Sequence, residues 1–151
     1  MSADLDLVRR LAASERGLAT VATTRADGSV QASVVNAGVV EHPVDGRPVV
    51  GFVTRGGSVK LRHLRQRARA TVVFRSGWRW VTVEGVADLA GPDDPLAGLE
   101  PGAVPRLLRD VFTAIGGTHD DWDEYDRVMA EQRRAAVLVR PERVYANPGG
   151  D

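Results

Sequence analysis

Thr54-Arg-Gly-Gly-Ser-Val-Lys60 is the stretch of this 151-residue chain best equipped for chemistry. Its two glycines let the backbone turn sharply and come close to a bound group. Ser58 is placed to cap a following helix, leaving the first-turn amides of that helix exposed and partially positive. A helix end of this kind binds phosphate well. Lys60, in the first turn, adds an ammonium to the same anion, and Thr54 and Arg55 can add donors. The spacing is not that of a Walker loop, which requires Gly-x-x-x-x-Gly-Lys-Ser/Thr. A plain Gly-Gly turn before a capped helix accounts for the same residues.

The charge pattern around this stretch points the same way. Lys plus Arg and Asp plus Glu each number 20, so the formal charge is zero. That balance argues against general nucleic-acid binding. Yet residues 46–83 carry nine cations and no anion, whereas residues 92–126 carry nine anions against Arg106 and Arg109. A local cationic field suits a small polyanion, although a solvated basic face balanced by the acidic tract is the plain alternative. Lys60 is the only lysine.

Other candidate residues are less specific. Ser33-Val34-Val35-Asn36 can line the edge of a flat heterocycle, with Ser33 and Asn36 giving hydrogen bonds; an ordinary alternating strand reads the same. Trp78 and Trp80 are two apart and so are expected on one strand face, covering a ring, packing the core or meeting a second subunit. His42, His63 and His119 have no partners at metal-ligand spacing and are expected on the surface. The acidic run from His119 to Tyr125 lacks the ligand alternation and central glycine of an EF-hand. With no cysteine, disulfides and thiolate chemistry are excluded.

These residues need a scaffold, and the hydrophobic pattern supplies a mainly β one. A short helix capped by Ser2 is expected first, with Leu5, Val8, Leu11 and Ala12 on one face. Strands follow over 17–24, 30–40 (bent near Asn36 or Gly38) and 49–54, with an Asp27-Gly28 turn after the first, both of whose central residues are expected at positive φ. A helix over 58–66 comes next, then strands over 70–74 and 78–89 joined at Arg75-Ser-Gly77. Gly85 marks a bulge or close backbone approach. A loop over 92–105 leads to helices over 105–115 and 120–133. Strands over 135–140 and 143–146, split by Pro141, end the chain. Six strands with inserted helices and little βαβ alternation indicate a six-stranded antiparallel barrel, expected as one domain over 1–151. No apolar run approaches the length of a membrane span, and Met1–Ala13 does not read as a signal peptide, so a cytoplasmic, non-membrane protein is expected.

Several segments taken together are more specific than any one. They are Gly17-Leu-Ala-Thr-Val-Ala-Thr-Thr-Arg-Ala-Asp-Gly28 with the strand through Asn36, Thr54 to Leu64, Ala68-Arg-Ala-Thr-Val72, Trp78, and Val83-Glu-Gly-Val-Ala87. In combination they resemble the pyridoxamine-phosphate-oxidase-like split β-barrel family. Gly117-Thr-His-Asp-Asp-Trp-Asp-Glu-Tyr125 and Arg140-Pro-Glu-Arg-Val-Tyr145 are similar to its deazaflavin (coenzyme F-420)-dependent oxidoreductases. The resemblance implies a mainly β split barrel, dimeric, with cofactor sites at the subunit interface. It places the cofactor against Ser33, Val34, Val35, Asn36, Thr54, Arg55, Ser58, Val59, Lys60, Arg62 and Trp78, the Trp from either subunit. Arg62 and Arg65 are expected to meet an anionic glutamyl tail. The implied activity is hydride transfer between the cofactor and a small conjugated organic substrate, with no assigned catalytic side chain and no metal. An FMN-dependent oxidase or reductase, or a non-catalytic flavin or haem carrier, are the alternatives on the same fold.

Overall fold

A computed structural model describes residues 4–148 of the protein. Six strands form, namely β1 (Leu18–Thr24), β2 (Val30–Glu41), β3 (Pro48–Thr54), β4 (Arg69–Ser76), β5 (Arg79–Ala90) and β6 (Ala135–Ala146). All pair antiparallel in the order β1-β2-β3-β6-β5-β4, and β4 pairs with β1 to close a barrel. Closure leaves no long strand edge to solvent.

Side-chain alternation builds the barrel core. Val21, Phe52, Val72, Phe74, Val81, Val83 and Val137 point inward and are essentially solvent-free. Helix α1 (Leu5–Ser14), through Leu7, Val8 and Leu11, and α2 (Val59–Gln66), through Leu61 and Leu64, pack into the same cluster. Truncating either buried Phe to Ala would cost roughly 3–5 kcal/mol. A second cluster lies outside the barrel. There Ala136 and Leu138 of β6 and Val49 of β3 meet Leu107, Leu108 and Val111 of α3 (Val104–Ala114) and Tyr125 of α4 (Trp122–Glu131). Strand β6 is therefore covered on both faces, which is why its first five residues, Ala-Ala-Val-Leu-Val, are all buried. Strand β1 and the first half of β2 leave apolar side chains uncovered on their outer face, where Leu18, Val30 and Val34 stand exposed.

The structure corrects the sequence expectations at several points. The Ser2 cap lies outside the described residues; the N-cap of α1 is Asp4, whose carboxylate accepts from the Leu7 amide at 3.1 Å. Only Gly28 takes positive φ in the first hairpin turn. Asp27 instead accepts from the Ser29 amide at 2.9 Å and from the Ser29 hydroxyl at 2.6 Å, which holds its carboxyl below the ordinary range. Pro141 does not split the last strand. Register shifts at Glu84/Gly85 so that Glu142 is extra, and the bulge absorbs the proline, which lacks a ladder donor. Gly85 is required there, because a Cβ would sit 1.7 Å from the Arg140 carbonyl oxygen. The β4–β5 turn is Gly77-Trp78, with Gly77 at φ 59°, so Trp78 is in the turn and not on the strand beside Trp80.

Candidate functional site

The stretch from Thr54 to Lys60 sits where β3 ends and α2 begins, beside a cavity of about 470 Å³. Ser58 is the N-cap of α2, and its hydroxyl oxygen accepts from the Leu61 amide at 3.3 Å and from the Thr54 hydroxyl at 2.9 Å. Both acceptances leave the Ser58 proton available as a donor. The Val59 and Lys60 amides, first in the helix, have no carbonyl within it to bond. Lys60 is half-buried on the cavity wall, and burial pushes its ammonium below the ordinary lysine value.

Three elements complete the walls. Val34, Val35 and Asn36 come from β2, Phe112 and Ile115 from α3 and the residue after it, and Tyr125 and Met129 from α4. Asn36 is fixed by donating its side-chain amide to the Arg16 carbonyl at 2.9 Å. Tyr125 donates its buried hydroxyl to the Leu108 carbonyl at 3.1 Å, and burial raises its pKa, so it stays protonated and committed to the fold. The remaining polar groups are Arg55 and Arg134, and no carboxylate lines the cavity.

Of the residues expected from sequence, Val34, Val35, Asn36, Thr54, Arg55, Ser58 and Lys60 are brought together around this cavity. Thr54 is buried and acts through Ser58. Ser33, Val59, Arg62 and Trp78 do not line it. Alternation puts Ser33 on the opposite face of β2 from Val34 and Asn36, and its hydroxyl is buried without a hydrogen-bond partner. Val59 and Arg62 are exposed on α2, and Trp78 is 84% exposed at its hairpin tip.

Arg65 is not free for a ligand tail, because it makes a bidentate pair with the buried Asp94 at 2.7 and 2.8 Å. Nor are the histidines all superficial. His42 is 2% exposed, its Nδ1 accepting from the Val44 amide and its Nε2–H donating to Asp88 at 2.9 Å. His63 Nδ1 lies 3.0 Å from the hydroxyl of buried Thr23. Among the described residues no group of three or more His, Asp or Glu is placed to hold a metal.

Sequence reading did not find Phe112, Ile115, Tyr125, Met129 or Arg134. The helical ones follow an amphipathic period that marks them only as core. Nothing in the Arg133-Arg134 pair tells which residue turns inward.

The fold agrees with what the chain resembles among known proteins. Residues 8–147 match the family model described as pyridoxamine 5'-phosphate oxidase. The chain belongs to that family. Among solved structures, a protein of unknown function from Agrobacterium tumefaciens superposes with a TM-score of 0.62 at 16% identity. That match covers 95% of this chain but 55% of the other, so this chain spans about half its length. A structure described as an F-420 reductase matches with TM-score 0.61 and 15% identity, over 92% of this chain and 93% of that one. An FMN-binding, pyridoxamine 5'-phosphate oxidase-related protein from Nostoc punctiforme gives 0.60 and 15%, over 93% and 78%. At these identities the likeness establishes the split-barrel fold. No helix among the described residues is long and apolar enough to cross a membrane.

Proposed function

We propose that the protein is a cytoplasmic oxidoreductase that binds a phosphate-bearing flavin-type cofactor in the cavity beside α2, coenzyme F-420 in preference to FMN. One observation carries the reading. Lys60, Arg55 and Arg134 line one cavity that has no carboxylate, whereas Arg65 and Arg69 of the same basic tract are paired with Asp94 and Glu142. Lys60 and Arg134 are partly buried there without a counter-ion, which disfavours both charges, and an anion supplied from outside relieves that cost. The Ser58 proton, the two unbonded amides of α2 and the Lys60 ammonium fit one phosphate.

The apolar wall suits a planar ring system laid along Val34–Asn36 toward Phe112 and Ile115. When bound, such a cofactor supplies two-electron hydride chemistry, and the protein supplies orientation and electrostatics. On this reading the chain's residues anchor the phosphate, hold the ring edge and exclude water with Phe112, Ile115 and Met129. Solvent serves as the proton source, since Tyr125 is committed to Leu108. The substrate is a small conjugated organic molecule with an electron-poor double bond.

The same reading includes a homodimer. Val34 lines the cavity yet is 68% exposed, and it adjoins Leu18 on the uncovered face of β1 and β2. A second copy on that face would cover the apolar strip, close the open side of the cavity and bring its own Trp78 toward it.

Fluorescence titration with coenzyme F-420 and with FMN tests the assignment. Tighter binding of the deazaflavin, with turnover of enones or quinones, is expected. Binding of FMN alone would reassign the cofactor. Tight binding without turnover would make the protein a carrier.

A further inference from the structure

We propose that the cleft bounded by α1, the second half of β2 and the residues that end α3 is a ligand site of its own, and that it takes the substrate: a flat, apolar molecule carrying one carboxylate. Its role as substrate rests on the cofactor reading above; the binding of such a molecule does not.

The cleft encloses about 850 Å³, more than the cavity beside α2, and no residue from Thr54 to Lys60 lines it. Its walls are small and apolar, with Ala12 and Ala13 from α1, Gly38 and Val39 from β2, and Ala114 from α3. This size, with an apolar lining and few polar groups, is that of a small-molecule site. Asn36, Phe112 and Ile115 border both spaces, so the cleft and the cofactor cavity meet at these three residues.

The shared wall is firmly seated. A Cβ at Gly17 would lie 2.5 Å from Ile115 Cγ2, and one at Gly117 would lie 2.5 Å from the Phe112 ring, so both side chains rest directly on backbone. Phe112 also packs against Tyr125, with ring centroids 5.1 Å apart. Asn36 is held from the α1 side, its side-chain amide donating to the Arg16 carbonyl at 2.9 Å.

Charge selects the ligand. Arg9 and Arg16 line the cleft, and no carboxylate does. Arg9 is already paired with Asp6 at 2.8 Å. Arg16 is exposed, and among the described residues its guanidinium has no side-chain hydrogen-bond partner. One free guanidinium beside apolar walls matches a ligand with an apolar body and a single carboxylate, which a guanidinium binds in bidentate geometry. A dianion finds no second free cation here, and an uncharged ring leaves Arg16 unpaired.

Calorimetric titration of cofactor-free protein with para-carboxybenzylideneacetone, a flat enone with a carboxylate at its far end, and with its methyl ester tests the site. The acid is expected to bind about fivefold or more tighter than the ester. R16Q should remove that difference and R16K should restore part of it. A13F fills an exposed position on the cleft wall and should weaken both ligands. With saturating coenzyme F-420, R16Q should raise KM for the acid about fivefold and leave kcat within about twofold. Equal affinities for acid and ester in the parent, or an A13F variant that binds as the parent does, would overturn the site. Tight binding without turnover of the acid would overturn its role as substrate. K60A should lose coenzyme F-420 and keep the acid; a variant that keeps both would remove the phosphate corner and not the cleft.

Discussion

Two basic regions of this barrel are built from similar residues and treated oppositely. At the end formed by the β2–β3 turn and β6, the central cations and anions answer one another. Arg140 bonds Asp88 at 3.0 Å and Asp45 at 2.8 Å, and Asp88 also accepts from buried His42. At the junction of β3 and α2, Arg55, Lys60 and Arg134 share a cavity with no acid at all. The first region spends its charges on holding loops to the barrel. The second leaves its charges unanswered, and that asymmetry marks it as a place where something else binds.

The contrast can be broken from either side. The largest effect is expected at Lys60. Lys60→Ala should weaken cofactor binding by roughly 10- to 150-fold, the equivalent of a charge-assisted contact of about 1.5–3 kcal/mol, and leave the denaturant midpoint nearly unchanged. Asp88→Ala should do the reverse. It strands the Nε2–H of His42, and chemical denaturation should show a loss of about 1–3 kcal/mol, with cofactor affinity preserved.

Gly56→Ala lies between the two behaviours. Its Cβ meets a backbone carbonyl that cannot easily yield. About 1–2 kcal/mol of stability should be lost, together with affinity for coenzyme F-420, because Arg55 and Arg134 are pushed apart. Tyr125→Phe should cost only about 1 kcal/mol and leave turnover intact, since its hydroxyl serves the Leu108 carbonyl.

The smallest expected effect is on pH dependence. Lys60 titrates below its ordinary value near 10.5 in the folded protein. Between the depressed value and 10.5 the unfolded chain binds more protons, so this residue makes stability rise with pH in that window. Melting curves of ligand-free protein and Lys60→Met at about pH 8 and about pH 10 isolate the contribution. The slope difference should favour the parent, and saturating cofactor should abolish it.

Much of this was legible in the sequence. Alternation and turn residues located all six strands, and a capped helix after Gly-Gly was visible as an anion-binding pattern. What escaped was decided by contacts distant in sequence. Pro141 reads as a strand breaker until Gly85 across the ladder accommodates the bulge. Arg65 reads as available until Asp94 is folded against it. The glycine pair reads as room for a ligand, yet Gly56 makes room for Arg133 and only Gly57 faces open space. Arg134 carries no local signal, because it lies 79 residues after Arg55 and only folding brings the two to one cavity.

A crystal structure with saturating coenzyme F-420 tests the central claim most directly. The phosphate is expected within hydrogen-bond reach of Ser58 Oγ and Lys60 Nζ, with the ring along Val34–Asn36. A phosphate bound anywhere else on the barrel, with Lys60 left facing solvent, would contradict it.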